Sequence, residues 1–180
     1  MRIISGEKKG TRLFSLKKRK IRPTSDKVKG AIFNILSSVE DKKILDLFAG
    51  SGSLGIEALS RGAEKVIFVD NSFSSLDLIR KNLEKLGLID KSGLIKKDAI
   101  RFLKTEFEQC FDLILADPPY GKGLCQRLLE ILAEKSLLSA DGILIIEHHK
   151  KEKIEKVGNF ILLKERRYGD TVVSFFAKKK

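Results

Sequence analysis

The sequence has little of what cross-links small proteins. Its 180 residues include two cysteines, Cys110 and Cys125, and their spacing is not that of metal ligands. So few cysteines suit a reducing compartment and argue against a disulfide framework, a redox centre or a zinc site. We therefore expect free, structural thiols and no metal.

Long hydrophobic runs are also missing. No apolar stretch approaches the roughly 20 residues that a membrane span requires, and the first ten residues, MRIISGEKKG, lack the hydrophobic region of a signal peptide. We expect a soluble, cytoplasmic protein. With 42% hydrophobic residues, the chain has the size of one ordinary domain, which buries roughly 70% of its unfolded surface.

Positive charge is abundant, and it is concentrated at the two ends. The net charge is +12. Residues 1–29 contain eleven basic and two acidic residues, residues 150–180 contain ten and four, and residues 30–149 contain fifteen and eighteen. A near-neutral body between two basic ends is typical of a protein that binds a polyanion. Lysines that only promote solubility are the alternative.

The body of the chain alternates apolar strands with amphipathic helices. The pattern predicts strands at 44–48, 65–69, 93–96, 111–116 and 143–146, and helices at 26–38, 53–61, 73–86, 99–105 and 124–135. Repeated strand–helix units predict a parallel sheet with helices on both faces. Two further strands, 160–167 and 171–177, are so close in sequence that they must form a hairpin. We predict an α/β, Rossmann-like fold whose mostly parallel sheet has a terminal antiparallel strand.

The first residues predict an N-terminal β-hairpin extension. Two strand-like segments, residues 2–4 and 11–16, lie on either side of a loop from Gly6 to Gly10, and a basic linker follows. We predict an extension over residues 1–22 and the main domain over residues 23–180. The candidate contacts for the phosphates of a nucleic acid are Lys8, Lys9, Arg12, Lys17, Lys18, Arg19, Lys20, Arg22, Arg166 and Arg167. His148 and His149 follow a predicted strand, and we expect them in a solvent-facing loop.

A glycine-rich turn follows the first strand of the body. Residues 48–55, FAGSGSLG, contain the spacing Gly50-x-Gly52-x-x-Gly55. These glycines let the backbone turn tightly and approach a ligand, while the next helix directs its N–H groups at it. The spacing alone fits NAD or FAD, S-adenosylmethionine, or a tight turn without a ligand.

Acidic residues around this turn favour S-adenosylmethionine. Asp46 would repel a pyrophosphate, whereas S-adenosylmethionine carries a sulfonium and an ammonium. Asp70 ends the second strand, where it is placed to accept hydrogen bonds from ribose hydroxyls. Asp98 follows the third strand and is placed to meet an adenine amino group, to cap the next helix, or both. The candidate cofactor-binding residues are Asp46, Phe48, Ala49, Gly50, Ser51, Gly52, Gly55, Asp70, Asn71, Asp98 and Ala99.

The tetrapeptide Asp117-Pro118-Pro119-Tyr120 follows the strand 111–116, at the strand end where open parallel sheets bind ligands. A carboxylate, two rigid prolines and an aromatic ring suit a flat base that bears an amine. Asp117 and the Pro118 carbonyl would accept the two amino N–H groups and turn the nitrogen lone pair toward a sulfonium methyl. Tyr120 would stack on an extruded base. A Pro-Pro turn that only ends a strand is the alternative.

Together these motifs resemble a known family. The segment LDLFAGSGSLGIEALSRGA, with Ile67–Asp70, Lys97–Ala99 and Asp117–Tyr120, is similar to class I S-adenosylmethionine-dependent methyltransferases that act on an exocyclic amine. With Arg22–Lys29, Phe33–Leu36 and Tyr168–Thr171, the whole chain resembles the RsmD family. The resemblance implies methyl transfer from S-adenosylmethionine to the 2-amino group of one guanine in bacterial small-subunit (16S) ribosomal RNA. It also implies that Thr24 closes over the methionine end of the cofactor, although Thr24 could equally cap a helix.

The sequence is also compatible with other functions. Adenine-N6 methyltransferases of DNA or RNA can carry the same tetrapeptide, although 180 residues leave no room for a separate target-recognition domain. A non-catalytic rRNA-binding assembly factor is a second alternative, disfavoured by the intact motifs, and an NAD-dependent oxidoreductase is formally possible. We expect a monomer whose partner is small-subunit rRNA, in an assembled or partly assembled 30S particle.

Overall fold

A seven-stranded sheet organises the residues that this computed structural model describes, 1–15, 26–105 and 109–179. The strands are β1 (Lys43–Leu47), β2 (Lys65–Asp70), β3 (Ser92–Lys96), β4 (Phe111–Ala116), β5 (Leu138–His149), β6 (Phe160–Tyr168) and β7 (Thr171–Lys178). The helices are α1 (Asp26–Ile35), α2 (Ser53–Ser60), α3 (Phe73–Leu86), α4 (Ala99–Leu103) and α5 (Leu124–Glu134), with a 3-10 turn at Ile89–Lys91. Within these ranges, none of the helices combines the length and the hydrophobicity of a membrane span.

The strand order confirms the predicted fold class. It is β3-β2-β1-β4-β5-β7-β6, in which the first five strands are parallel and β7 is antiparallel to both of its neighbours. The order reverses beside β1, because β1 pairs with β2 on one side and with β4 on the other. In an open α/β sheet, ligands bind outside the carboxyl ends of the strands at such a reversal.

The two faces of the sheet carry separate hydrophobic layers. On one face, called here the α1–α3 face, Ile44, Val66 and Leu113 pack with residues of helices α1, α2 and α3. On the other, the α4–α5 face, Leu45 and Ile114 pack with helices α4 and α5. Both faces are covered, which is why the central strands are continuous apolar runs.

The N-terminal residues lie along the body. Arg2 and Arg12 form an isolated antiparallel bridge, so the predicted hairpin is present over residues 1–15, although without regular strands. Ile3 and Leu13 are buried in the α1–α3 layer. The predicted domain boundary after residue 22 falls outside the described residues, and the division of the chain stays a prediction.

Glu57 of α2 fixes this N-terminal segment. Its carboxylate accepts hydrogen bonds from the backbone N–H groups of residues 4 and 5, at 2.8 and 2.9 Å. It also lies 3.4 Å from Lys29 Nζ, and both side chains are fully buried. Lys29 donates a second hydrogen bond, of 2.7 Å, to the Arg2 carbonyl. Burial lowers the pKa of Lys29, and the Glu57 carboxylate opposes that shift.

The predicted loop at His148 and His149 was wrong. Both residues belong to β5, which pairs with β7 from Ile143 to His149. His148 is 4% exposed, and its Nε2 lies 2.9 Å from Ser174 Oγ. Antiparallel pairing with β7 therefore extends the strand beyond the apolar run that marks it in the sequence.

Candidate active site

The glycine corner, residues 48–55 between β1 and α2, is built from left-handed backbone. The φ angles are 57° at Phe48, 54° at Gly50 and 72° at Gly52. A β-carbon on Gly50 would meet the Phe48 carbonyl oxygen at 3.7 Å and no nearer atom of the described residues. Gly50 therefore leaves room for a ligand to approach the backbone.

The other two glycines of the motif are required for packing. A β-carbon on Gly52 would lie 2.8 Å from Cγ1 of Ile79, and one on Gly55 would collide with the ring of Phe68. These glycines hold α2 close to α3 and β2. Of the remaining residues at this corner, Ala49 is buried and Ser51 is half-buried.

Asp46 lies beneath the glycine corner. Its Oδ2 accepts a hydrogen bond of 3.0 Å from the Gly55 N–H, and the residue is 4% exposed. Burial raises the pKa of Asp46 to about 7; the Gly55 hydrogen bond opposes this shift and the Asp70 charge adds to it. A cationic ligand at this corner would stabilise the ionised carboxylate.

Asp70 joins the ends of the first two strands. It accepts hydrogen bonds from the N–H groups of Gly50, at 2.8 Å, and Ser72, at 2.7 Å. A carboxylate has about four lone-pair positions, so Asp70 retains acceptor capacity for the ribose hydroxyls. Asn71, which follows, is exposed.

Asp98 caps helix α4. Its Oδ1 accepts a hydrogen bond of 2.9 Å from the Arg101 N–H, and Ala99 begins the helix as a buried residue. The capping interpretation is confirmed, and the contact with adenine stays a prediction.

The tetrapeptide Asp117–Tyr120 lies at the same edge of the sheet as the glycine corner. The last paired residues of β1 and β4 are Leu47 and Ala116. Both motifs therefore follow the carboxyl ends of neighbouring parallel strands, as predicted. Within the tetrapeptide, Pro118 is buried and Pro119 is exposed.

Three adjacent strands bring three carboxylates to this edge: Asp46 near the end of β1, Asp117 directly after β4 and Glu147 near the end of β5. We call this set the carboxylate row. Burial raises the pKa of Asp117 well above its usual value, and the negative charges of Glu147 and Asp46 raise it further. Carboxylates this close disfavour one another's ionised form, so the row attracts cations and hydrogen-bond donors.

Tyr120 is tied to the carboxylate row by its hydroxyl group. The hydroxyl donates to Glu147 Oε1 at 3.3 Å and lies 3.2 Å from Thr171 Oγ1. Tyr120 is 38% exposed, and its ring centroid lies 5.7 Å from that of His149. Burial is the largest cause that raises the pKa of Tyr120 to about 12, so the phenol is protonated. The exposed side of the ring can stack on a base.

Sequence reasoning missed Glu147. Its signal was available, because it follows the strand predicted at 143–146 just as Asp117 follows the strand at 111–116. Thr171 appeared only within the Tyr168–Thr171 motif of the resemblance, with no role assigned.

The candidate RNA contacts do not all lie near the site. Lys8 is held by Ser60 at the C-terminal end of α2, with an N–H to Oγ distance of 3.1 Å. Since α2 runs away from the glycine corner, Lys8 and Lys9 lie at the opposite edge of the sheet. Arg12 is exposed, and its carbonyl accepts a hydrogen bond from Lys85 at 2.7 Å. Thr24, Lys17, Lys18, Arg19, Lys20 and Arg22 lie outside the described residues.

Arg166 and Arg167 lie closer to the reacting edge. They are exposed on the outer strand β6, where they pair with Val173 and Val172 of β7. The next pair along the strands is Tyr168 with Thr171, and Thr171 is the residue that contacts Tyr120. Their role in RNA binding stays a prediction.

A cavity of about 650 Å³ lies on the α4–α5 face, lined in part by His148, Ser174 and Phe176. Successive side chains of a strand point to opposite faces, so His148 and its neighbour Glu147 face different spaces. The cavity is therefore separate from the carboxylate row.

A doubly wound sheet with a glycine corner after β1, carboxylates at the ends of β1 and β2, and Asp-Pro-Pro-Tyr after β4 defines a class I S-adenosylmethionine-dependent methyltransferase. The chain belongs to the family described as Conserved hypothetical protein 95, the RsmD family, whose model matches residues 1–177. The expected fold class, cofactor and family are thus confirmed.

Individual relatives are similar to this protein over nearly the whole length of the chain. The chain is 40% identical to the putative rRNA methyltransferase YlbH of Bacillus subtilis, over 99% of this chain and 100% of the relative. It is 35% identical to ribosomal RNA small subunit methyltransferase D of Haemophilus influenzae, over 97% and 91%. Among solved structures, the putative methyltransferase yhhF from Escherichia coli superimposes with a TM-score of 0.89 at 26% identity, over 100% of this chain and 98% of that one.

Proposed function

We propose that the protein transfers a methyl group from S-adenosylmethionine to the exocyclic N2 amine of a specific guanine in small-subunit rRNA. The observation that carries this proposal is the placement of the Asp117–Tyr120 tetrapeptide beside the glycine corner, at one sheet edge. The assignment of small-subunit rRNA as the substrate is supported by relatives named as ribosomal RNA small subunit methyltransferases.

The residues at this edge fit the cofactor. Gly50 leaves an open approach to the backbone, and Asp70 retains acceptor capacity for ribose hydroxyls. Asp46 offers a carboxylate to the positively charged end. When bound, S-adenosylmethionine supplies an electrophilic methyl group on its sulfonium.

Asp117 and Pro118 would act on the target amine. A guanine 2-amino group is a poor nucleophile, because its lone pair is delocalised into the ring. Acceptance of one N–H by Asp117 and the other by the Pro118 carbonyl favours a pyramidal nitrogen and localises that pair. The raised pKa of Asp117 also makes its ionised form a better acceptor for the proton that the methylated nitrogen loses. Tyr120, fixed by Glu147 and Thr171, holds the base by stacking, worth about 1–3 kcal/mol.

We further propose that the substrate is an assembled or partly assembled small subunit, and that the protein acts as a monomer. Exposed basic residues lie at both edges of the sheet, Lys9 at one and Arg166 and Arg167 at the other. A surface that spans both edges suits a large RNA target better than a short hairpin.

Label transfer tests the substrate class. The protein is incubated with labelled S-adenosylmethionine and, in separate reactions, small subunits lacking the modification, free rRNA and duplex DNA. Label is expected in rRNA guanosine, with small subunits preferred over free rRNA. Label in adenosine, or in DNA alone, would reject the proposal.

A further inference from the structure

Glu147 stands directly beside Asp117. The paired residues of β4 and β5 are Leu115 with Ile145 and Ala116 with Ile146, so the next positions are Asp117 and Glu147. Leu115 and Ile145 both belong to the α1–α3 layer. Since side chains alternate along a strand, Asp117 and Glu147 project from that same face, on strands about 4.8 Å apart.

Glu147 is also held in place. It is 7% exposed, and its Oε1 receives the Tyr120 hydroxyl, which Thr171 contacts in turn. A carboxylate buried next to a second carboxylate costs stability. Such an arrangement is typical of a functional site.

Two neighbouring acceptors match one base edge. On its Watson–Crick edge, guanine presents N1–H and the 2-amino group side by side, and both are donors. Adenine has an unprotonated N1, whose lone pair would face a carboxylate without a shared proton. A site that accepts a hydrogen bond from a substrate N–H group discriminates strongly against an analogue without that group.

We propose that Glu147 determines specificity for guanine, by accepting a hydrogen bond from N1–H while Asp117 accepts one from the 2-amino group. This inference rests on the proposed function and adds to it the residue that selects the base. Glu147 would also position Tyr120, and the two roles are separable. Two titratable groups, Asp117 and Tyr120, interact directly with Glu147.

The test replaces the N1 donor of the target base. Once the modified guanine is mapped, small subunits are reconstituted with either guanine or 2,6-diaminopurine at that position. Diaminopurine keeps the 2-amino group, but its N1 is an acceptor. The wild type is expected to prefer guanine by at least about tenfold in kcat/KM, the effect of a lost charge-assisted hydrogen bond.

Glu147→Gln is expected to reduce that preference to below about threefold, because its amide N–H can donate to N1 of diaminopurine. Tyr120→Phe is the matched control: it removes the hydroxyl that contacts Glu147 and retains the ring, so the preference is expected to stay. Should Glu147→Gln fail to fold, Glu147→Ala provides the same test, since it also removes the carboxylate that disfavours diaminopurine.

The possible failures are distinguishable. If wild-type protein does not methylate guanine at all, the proposed function fails. If the wild type methylates guanine and the Glu147 variants keep the full preference, this inference alone is overturned. The same holds if Tyr120→Phe loses the preference as fully as Glu147→Gln does, since Glu147 would then act only through Tyr120.

Discussion

At the scale of single residues, the proposed reaction depends on carboxylates that are shielded from water. Asp46 and Asp117 both have raised pKa values, chiefly through burial. The structure gives them different neighbours: Asp46 braces the glycine corner, and Asp117 lies between Asp46 and Glu147 in the row. They should therefore respond differently to mutation.

Asp117→Ala is expected to abolish methyl transfer while the affinity for S-adenosylhomocysteine falls less than about tenfold. The side chain acts on the amine of the base, so its loss removes an interaction made in the transition state. Single-turnover rates and equilibrium binding give the two numbers. Equal losses in both would place Asp117 in the cofactor site instead.

The affinity for S-adenosylmethionine is expected to rise between pH 6 and 7.5, as Asp46 ionises with a pKa of about 7 and attracts the cationic ligand. Over the same pH range, the contribution of Asp46 to the free energy of unfolding is expected to fall. A carboxyl group whose folded pKa is raised contributes stability below its unfolded pKa, and this contribution is lost as pH rises through the folded value. Isothermal titration calorimetry of S-adenosylmethionine binding across this pH range checks the expected rise in affinity. Asp46→Asn is the control, which should remove the dependence of the affinity on pH. A wild-type affinity that is flat or falling would contradict it.

At the scale of elements, the sequence predicted most helices and strands to within a residue or two, because their periodicity is local. It failed where pairing between distant segments decides the outcome. Pairing with β7 carries β5 through His148 and His149. Likewise, the Lys29–Glu57 pair, which secures the N-terminal segment, joins residues 28 positions apart that no local pattern connects.

Gly6→Ala is expected to destabilise the protein more than Gly10→Ala. Both glycines have φ 84°, so both variants incur the roughly 1–2 kcal/mol cost of a left-handed alanine. The new β-carbon at Gly6 would collide with the Ser60 carbonyl, whereas none of the described residues comes within 4 Å of the one at Gly10. Urea denaturation of the two variants measures the difference. Equal free energies of unfolding would show that the N-terminal loop does not rest on α2.

Glu57→Gln is expected to lower the free energy of unfolding by about 3–5 kcal/mol, because it leaves the Lys29 charge buried without its partner. The pair Asp77–Lys81 is the control, with a distance of 2.7 Å but exposed side chains. Asp77→Asn is expected to cost less than about 1 kcal/mol. Denaturant titration measures both variants. Similar decreases in the free energy of unfolding would mean that the buried Lys29–Glu57 pair contributes no more to stability than the exposed pair.

At the scale of the whole molecule, the site could be predicted because parallel strands bring their carboxyl ends to one edge. The glycine corner and the tetrapeptide were therefore expected side by side, and they follow the paired ends of β1 and β4. The basic ends were harder to interpret, since net charge does not say which edge a lysine occupies. Lys8 and Lys9 lie away from the reacting edge, and Arg166 and Arg167 lie near it.

Replacing both Arg166 and Arg167 with alanine is expected to weaken binding to small subunits. The slope of log K against log salt concentration is expected to become shallower by about two, one for each lost phosphate contact. The Lys8→Ala, Lys9→Ala double variant, which removes the same charge at the opposite edge, is expected to have the smaller effect. Binding measured over a range of salt concentrations compares them. A larger effect of the lysine pair would place the main RNA surface at the opposite edge.

The proposed reaction is tested most sharply by identifying the atom that receives the methyl group. Small subunits lacking the modification are incubated with the protein and S-adenosylmethionine carrying a deuterated methyl group, and the digested rRNA is separated against the isomeric methylguanosines. All of the deuterium is expected in N2-methylguanosine, at one position of the rRNA. Deuterium in N1- or N7-methylguanosine, or in a methyladenosine, would show that Asp117 and Pro118 do not present a guanine 2-amino group to the cofactor.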